Sequence, residues 1–184
     1  EKGCGRKYVP TQISYDGNGN ITRIQTPSGN EILREYDQSN HLLAETHKEK
    51  GGSIRNRITF TYDLNGNLTQ RMESNGFYTR YQYDLQGRQI MTEDADGAIT
   101  WNDYDRNGNL VRQIMPVEYA VYGRDGAGYR FDYDKSGRNT AVISPDGSRL
   151  HLTEYNEYGE KTSEGDGTGR VHSIYDRAGR RIRI

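Results

Sequence analysis

Short stretches in which apolar and polar residues alternate recur along the whole chain and are separated by glycine-containing turns. Residues 58–62 (ITFTY) and 129–133 (YRFDY) both show this two-residue period. Such alternation is typical of β-strands, and no segment carries apolar residues at the 3.6-residue spacing of a capped amphipathic helix. The pattern therefore predicts a nearly all-β fold with little or no helix.

A tyrosine followed by an aspartate marks the same point in successive repeats. The pairs are Tyr15-Asp16, Tyr36-Asp37, Tyr62-Asp63, Tyr83-Asp84, Tyr104-Asp105, Tyr133-Asp134 and Tyr175-Asp176, and Tyr155-Asn156 fills the remaining position. The spacings between them are 21, 26, 21, 21, 29, 22 and 20 residues. A fixed period of this length indicates a repeat architecture. We interpret residues 1–184 as a single array of about eight repeats that begins near Tyr15.

Two turns punctuate each repeat. A glycine stands three residues after most of the aspartates, and Asn40 takes that place in one repeat, which indicates a positive φ there. A second glycine follows ten residues later, as in Gly66 and Gly76. Dipeptides such as Asn75-Gly76 favour a type I′ hairpin turn. Each repeat is therefore predicted to run strand, turn, strand, turn, in a tandem β-hairpin array.

Two repeats are longer than the others. The 29-residue repeat carries eight extra residues, which we place around residues 115–123 in the outgoing strand or its turn, with Gly126 as its second turn glycine. The 26-residue repeat carries its extra residues near 48–53, again at the second turn. Insertions at one end of a repeat map to one face of an array.

The Tyr-Asp pairs themselves are interpreted as structural residues. A tyrosine ring packs apolarly while its hydroxyl reaches a polar partner, so equivalent tyrosines would form a ladder along the sheet. The neighbouring aspartate can accept hydrogen bonds from backbone N–H groups of the following turn. The residues assigned this role are Tyr15, Asp16, Tyr36, Asp37, Tyr62, Asp63, Tyr83, Asp84, Tyr104, Asp105, Tyr133, Asp134, Tyr155, Tyr175 and Asp176.

Composition narrows the possible functions. Only 32% of the residues are hydrophobic, which argues against a large dry core, while 15 tyrosines argue against disorder. With 25 basic and 26 acidic residues, the chain lacks the positive charge expected of a nucleic-acid binder. Cys4 is the only cysteine, so no internal disulfide can form. No apolar stretch approaches the ~18 residues of a membrane span.

The repeat resembles the Rhs/YD-repeat family, whose unit is close to Tyr-Asp-x-x-Gly-Asn/Arg-Leu with a further glycine ten residues on. The resemblance extends from about Tyr15 to Ile184. The family includes bacterial polymorphic toxins, insecticidal toxin-complex subunits, wall-associated proteins and animal teneurins. The resemblance implies a curved antiparallel sheet that spirals into a hollow shell. In the toxin members this shell encloses a C-terminal toxic domain before delivery.

The leading hypothesis is accordingly a shell segment of a secreted bacterial toxin, delivered by a secretion system, with a structural and not an enzymatic role. Its expected partners are further repeats of the same protein and the enclosed toxic domain, and open sheet edges favour self-association. The alternative is a cell-surface recognition module that binds carbohydrate or a receptor. Stacking on sugars is assigned to exposed Tyr78, Trp101, Tyr119 and Tyr122, and Arg124 and Asp125 are candidate contacts in the long insertion.

One short motif suggests calcium. Asp103, Asp105 and Asn107 match the first half of an EF-hand loop, in which alternate positions supply oxygen ligands. The twelfth position is Ile114 where that loop needs glutamate, and the repeat itself accounts for the aspartate and asparagine. We therefore expect no metal and no cofactor.

Overall fold

The computed structural model describes residues 10–183, so Cys4 lies outside the described residues. Contacts between Cα atoms divide the chain into two units, Glu1–Tyr81 and Gln82–Ile184. In both units the chain is built from antiparallel strands connected in sequence order by short turns. The prediction of a nearly all-β fold made of hairpins is confirmed.

Unit 1 contains a meander in which each strand pairs antiparallel with the strand that precedes it. Its strands are β1 (Gln12–Tyr15), β2 (Ile21–Gln25), β3 (Glu31–Tyr36), β4 (Leu42–Lys48), β5 (Ile54–Tyr62), β6 (Leu68–Glu73) and β7 (Tyr78–Tyr83), whose last two residues belong to unit 2.

Unit 2 continues the same order of hairpins and adds one short helix. Its elements are β8 (Gln89–Glu93), β9 (Ile99–Tyr104), β10 (Leu110–Ile114), α1 (Pro116–Tyr122), β11 (Tyr129–Tyr133), β12 (Asn139–Ile143), β13 (Arg149–Tyr155), β14 (Lys161–Gly165), β15 (Arg170–His172), β16 (Ile174–Tyr175) and β17 (Arg181–Arg183). Strands β8 to β15 pair in sequence order, and β16 and β17 form a separate antiparallel pair.

The hairpin turns are not of the predicted type I′. In a representative second turn, the Gly76 N–H donates to the Glu73 carbonyl at 3.0 Å, and the Glu73 N–H donates to the Phe77 carbonyl at 2.8 Å. Only Gly76 has a positive φ, of 88°, whereas a type I′ turn would require one at Asn75 as well. The geometry is that of a type I turn followed by a left-handed residue that forms a bulge.

Asn40 occupies the same left-handed position in its turn, with a φ of 66°. It is the one non-glycine residue among residues 10–183 with a positive φ, and the prediction that it replaces a turn glycine is confirmed. The turn that ends at Gly169 differs from the others. There the Asp166 N–H donates to the Gly169 carbonyl at 3.0 Å, and Gly169 does not have a positive φ.

The strand register shifts by one residue next to most of the repeat tyrosines. Shifts occur between Ser14 and Tyr15, Glu35 and Tyr36, Thr61 and Tyr62, Asp132 and Tyr133, Glu154 and Tyr155, and Ile174 and Tyr175. The extra residue stands on the outgoing strand, as Leu43 does between Leu42 and Ala44, so each bulge lies opposite its tyrosine.

The 26-residue repeat differs from the sequence-based expectation. The turn over residues 49–53 has the same hydrogen bonds as the other second turns, with the Gly52 N–H donating to the Glu49 carbonyl at 2.9 Å. The extra residues instead lengthen the flanking strands, since β4 has seven residues and β5 has nine. Extra residues can be added to both paired strands without breaking the ladder between them.

The extra residues of the 29-residue repeat form α1 and the single 3₁₀ turn Gly123–Asp125 that follows it. These residues lie in the connection between β10 and β11, where the sequence analysis placed them, and they form a helix, which it did not predict. Pro116 lies in the first turn of the helix, where its fixed φ and missing N–H are tolerated. Gly126 has a φ of −55° and is not a turn glycine, whereas Gly128, with a φ of 66°, precedes β11.

Few side chains are buried, as the composition predicts. The main apolar cluster lies in unit 2, where Met91, Trp101 and Ile114 pack together and Tyr119 covers them in part. Ile114 is fully buried, with an exposed fraction of 0%. The helical insertion therefore packs, through Tyr119, against this buried cluster.

Candidate functional site

The aspartate of each Tyr-Asp pair bonds across its own turn. In the first repeat, Asp16 Oδ1 accepts hydrogen bonds from the backbone N–H groups of Asn18 and Asn20, both at 2.9 Å. Asp16 Oδ2 accepts a third bond from the side-chain amide of Asn20 at 3.0 Å. We call this aspartate, together with the residue four positions later, the turn lock. It holds the type I turn and its bulge closed at both ends.

The same turn lock recurs in both units with three kinds of second residue. Asparagine, arginine or histidine contacts the outer carboxylate oxygen at 2.6–3.0 Å in the pairs Asp16–Asn20, Asp63–Asn67, Asp105–Asn109, Asp84–Arg88, Asp134–Arg138, Asp176–Arg180 and Asp37–His41. What these residues share is a nitrogen that can donate to a carboxylate.

One repeat reverses the direction of this bond. Asn156 replaces the aspartate, and its Nδ2 donates to Glu160 Oε2 at 2.6 Å. Asn156 Oδ1 still accepts from the backbone N–H groups of Tyr158 and Glu160, both at 3.0 Å. Because the carboxylate now belongs to Glu160, the second residue of the lock, the first residue has to supply the donor, and the Asn156 amide does so. The Tyr155-Asn156 variant is therefore a functional turn lock.

Hydrogen bonds make the charged form of these aspartates favourable. The side-chain amide of Asn20 is the largest cause that lowers the pKa of Asp16, and Asn67 and Asn109 do the same for Asp63 and Asp105. The pKa of the carboxyl is also lowered in the remaining aspartate locks, at Asp37, Asp84, Asp134 and Asp176. These carboxylates are thus set to accept hydrogen bonds, not to transfer protons near neutral pH.

The tyrosine of most pairs joins its repeat to the one before it. Tyrosine hydroxyls donate to the carbonyl that follows the preceding turn, from Tyr36 to Ile21 (3.1 Å), Tyr62 to Leu42, Tyr104 to Gln89, Tyr133 to Leu110 and Tyr175 to Lys161 (each 2.9 Å). Each accepting residue lies six positions after the preceding repeat tyrosine. Burial raises the pKa of Tyr62, which keeps this hydroxyl protonated and able to donate.

The Tyr155 ring makes a different contact. The Arg138 guanidinium carbon lies 4.3 Å from its centroid, so the second residue of one turn lock packs against the tyrosine of the next repeat. Arg88 lies in the same way over Tyr104, at 4.9 Å. Tyrosine and turn lock together form a continuous contact from repeat to repeat within unit 2.

The calcium candidates do not come together as a ligand set. Asp103 accepts from Trp101 Nε1 at 2.9 Å through Oδ1 and from Arg112 Nε at 2.6 Å through Oδ2. Asp105 belongs to a turn lock, in which the N–H of Asn107 donates to Asp105 Oδ1 at 2.9 Å. Both carboxylates therefore have nitrogen donors as partners. Among residues 10–183, no group of three or more His, Cys, Asp or Glu residues could hold a metal ion.

Three candidate binding residues in unit 2 come together, but not as an open surface. Trp101 is only 6% exposed, because the Tyr119 ring stacks on it at a centroid distance of 6.3 Å. The Arg124 guanidinium carbon lies 4.1 Å from the indole centroid. The expectation that Trp101 is exposed and stacks on sugars is therefore wrong, since Tyr119 and Arg124 occupy its vicinity.

The remaining binding candidates are separate from this stack. Tyr78 lies in unit 1, half-buried, with the Arg80 guanidinium carbon 4.3 Å from its ring centroid. Tyr122 is 63% exposed at the end of α1, and Asp125 is exposed in the 3₁₀ turn.

Two side chains that the sequence did not single out attach the insertion to the sheet. Glu118 Oε1 accepts from the Gly128 N–H at 3.0 Å. Arg112 donates through Nη1 to the Gly126 carbonyl at 2.9 Å and through Nη2 to the Arg124 carbonyl at 3.2 Å. Only the extra length of this repeat pointed to the segment, because each of these contacts depends on the tertiary fold.

Comparison with known proteins identifies the repeat. Residues 62–99, which hold the Tyr62-Asp63 and Tyr83-Asp84 pairs, match the family model described as RHS Repeat. The resemblance to the Rhs/YD-repeat family is thereby confirmed.

Curated relatives carry the names of toxins or nucleases. The chain is 28% identical over 158 residues to the tRNA3(Ser)-specific nuclease WapA of Bacillus spizizenii, with 85% of this chain and 6% of that protein aligned. It is 27% identical to the double-stranded DNA deaminase toxin A of Burkholderia cenocepacia, over 76% of this chain and 10% of that protein. It is also 27% identical to the probable deoxyribonuclease RhsB of Dickeya dadantii, with 92% of this chain and 15% of that protein aligned. The chain thus spans a small part of each relative.

Solved structures that are similar to this chain include the TcdB2-TccC3-Cdc42 complex and the Photorhabdus luminescens Tc holotoxin pore. Each is 14% identical to this chain and aligns with 94% of it. The TM-score is 0.39 for the first, over 13% of the matched chain, and 0.45 for the second, over 12%. Among the residues that the structure describes, no helix has the length and apolar character needed to cross a bilayer.

Proposed function

We propose that this chain, an array of Rhs repeats, is a wall segment of a secreted bacterial toxin, and that the wall encloses a separate toxic domain and helps to deliver it. The observation that carries the proposal is the repeated tyrosine bond. The hydroxyls of Tyr62 and Tyr104, for example, bond their strands to the preceding strand of the array, at the carbonyls of Leu42 and Gln89. A chain built in this way extends by adding hairpins, which suits a wall better than a compact catalytic domain.

The distribution of buried residues supports a wall with solvent on both faces. Among residues 10–183, the buried hydrophobic residues are Ala44, Met91, Trp101, Ile114 and Ala141. Such a sheet does not need a second layer to cover it, because backbone ladders, turn locks and cross-strand pairs carry its stability. A cavity filled with polar cargo can therefore lie against it at little cost.

The names of the relatives support a division of labour within a longer protein. They describe a tRNA nuclease, a DNA deaminase and a deoxyribonuclease, which are three different chemistries matched by the same kind of repeat. A segment shared by proteins of different chemistry is a candidate for the common structural part. In this proposal the toxic activity belongs to another part of the full-length protein, which acts outside the cell that makes it.

Protease protection tests the proposal on the full-length protein that contains this chain. We expect peptides of the toxic domain to survive limited proteolysis in the intact protein and to be cleaved rapidly when that domain is prepared alone. Alanine at Tyr62 and Tyr104 together should open the wall and expose the domain, whereas Tyr122→Phe, at an exposed position, should not. Equal cleavage of the enclosed and the isolated domain would overturn the proposal.

A further inference from the structure

A groove runs between α1 and the turn that connects β8 to β9, entirely within unit 2. Its apolar lining consists of Ala98, Ile99, Pro116, Val117, Tyr119 and Ala120, and Asp96 lies on its wall. One wall comes from the turn that every repeat has, while the other comes from the helix that only the 29-residue repeat has. The insertion therefore creates the groove.

The helix presents apolar side chains to solvent on the side that does not contact the sheet. Val117 is 85% exposed and Val121, one helical turn later, is 68% exposed. Tyr122 beside them is 63% exposed. The other repeats within residues 10–183 form their hairpins without an α-helix, so the repeat does not need these helical valines to fold. Contiguous exposed apolar side chains of this kind mark an interaction surface.

The groove is held in place before any partner arrives. Tyr119 stacks on the buried Trp101, and the Glu118 carboxylate accepts from the Gly128 N–H at 3.0 Å. Arg112, on β10, donates to the Gly126 carbonyl and so holds the residues that follow α1 against the sheet. Fixing the helix in advance reduces the entropy lost when a partner binds.

Charge identifies the kind of partner. The residues that line the groove, in segments 96–99 and 116–120, include one acid, Asp96, and no Lys or Arg. Within the described residues no ion pair with a basic side chain is recorded for Asp96. An apolar groove with an unpaired carboxylate on its wall complements an apolar side chain next to a cation.

We propose that this groove binds a polypeptide segment in which an aliphatic or aromatic side chain stands beside a lysine or arginine. The apolar side chain enters between Ile99 and Val117, and the basic group pairs with Asp96. This proposal rests on the groove alone and does not depend on the wall function proposed above.

Fluorescence anisotropy with defined peptides tests it. The probe is a short labelled peptide in which leucine alternates with lysine, and the matched control replaces lysine by glutamate. We expect the lysine peptide to bind the purified chain and the glutamate peptide to bind more weakly. Val117→Ser should weaken binding of the lysine peptide about fivefold, in line with the loss of buried apolar area. Asp96→Lys should reverse the preference between the two peptides.

Controls separate the groove from the sheet edges and from self-association. Leu64→Ser removes an even more exposed apolar side chain in unit 1 and should leave binding unchanged. Circular dichroism checks that each variant is folded. Binding that is insensitive to both Val117→Ser and Asp96→Lys would overturn the proposal. So would a sedimentation shift from dimer to monomer in Val117→Ser, because the groove would then be an interface between copies of this chain.

Discussion

Asn156 Nδ2 donates to Glu160 Oε2 at 2.6 Å, in the position where seven other repeats have an aspartate that faces a donor four residues on. Both members of the pair have changed, and the bond between them is kept. The turn lock therefore requires one donor and one acceptor, in either direction, and not an aspartate as such. This relationship allows each half of the pair to be tested against the other.

Substituting one member of the Asn156–Glu160 pair should weaken the turn, and substituting both should restore its hydrogen bond. Asn156→Asp places two carboxylates together at the Glu160 side chain, which removes a hydrogen bond worth about 1 kcal/mol and adds repulsion. Hydrogen exchange of the Tyr158 and Glu160 amides should become faster in this variant. In Asn156→Asp combined with Glu160→Asn, exchange should return to the rate of the original protein.

The control is Glu157→Gln, a substitution in the same turn at a residue outside the lock. It should leave the hydrogen-exchange rates of the Tyr158 and Glu160 amides unchanged. Additive effects of the two substitutions, without any recovery in the double variant, would contradict the pairing.

Acid should destabilise the array through the aspartate locks. Their folded pKa values are lowered, as at Asp16, Asp63 and Asp105, so the unfolded chain binds protons more readily than the folded one. The resulting stabilisation is fully present above the ordinary aspartate pKa of about 3.9 and is lost as pH falls through the folded values. Asp146, at a second turn, behaves in the same way, with a pKa of about 2.

Urea unfolding at a series of pH values measures this dependence. We expect the midpoint to fall steeply below the ordinary range of aspartate, and the fall to become shallower when Asp63 and Asp105 are both changed to asparagine. Asp125→Asn, at an exposed residue outside the turn locks, is the control. A pH profile unchanged by the double substitution would show that other acids control the acid unfolding.

Removing one tyrosine hydroxyl should loosen the joint between two repeats. Tyr104→Phe deletes the bond to the Gln89 carbonyl at 2.9 Å, and that carbonyl keeps only the longer bond of 3.2 Å from Asn102 Nδ2. The expected loss in free energy of unfolding is about 0.5–1.5 kcal/mol. Tyr122→Phe removes the same atom from an exposed ring and should cost much less. Equal effects of the two substitutions would contradict a role of the hydroxyl in joining repeats.

The sequence predicted the hairpins, their period and the left-handed position of Asn40, because these depend on local rules that link glycine, asparagine and turns. It misassigned the turn type, since Asn75-Gly76 is compatible with both alternatives until the φ of Asn75 is known. It also missed α1, whose seven residues are too few to show a helical period. The burial of Trp101 could not be predicted, because Tyr119 and Arg124, which cover it, belong to the insertion and reach it only through the tertiary fold.

The left-handed glycines of the turns should tolerate alanine poorly because of their backbone conformation. Gly66 has a φ of 83°, and a Cβ there would lie 2.9 Å from His41 Nε2. We expect Gly66→Ala to cost about 1–2 kcal/mol from the backbone alone. Gly17→Ala is the matched control in an equivalent turn, since its φ is not positive and a Cβ there meets nothing within 4 Å. Thermal unfolding should separate the two variants clearly.

Trp101 reports on the insertion because it is the only tryptophan of the chain. Its indole is 6% exposed beneath Tyr119 and Arg124, so its fluorescence should be shielded from an added quencher. Tyr119→Ala removes the ring that covers it, and Arg124→Ala removes the cation over its face. Each should increase acrylamide quenching and shift the emission to longer wavelength, with a loss of about 0.5–1.5 kcal/mol for the stacked contacts. Tyr122→Ala, three residues along the same helix but exposed, should leave the emission unchanged. Unchanged quenching in Tyr119→Ala would mean that α1 does not cover the indole in solution, and the groove that α1 forms would then be absent as well.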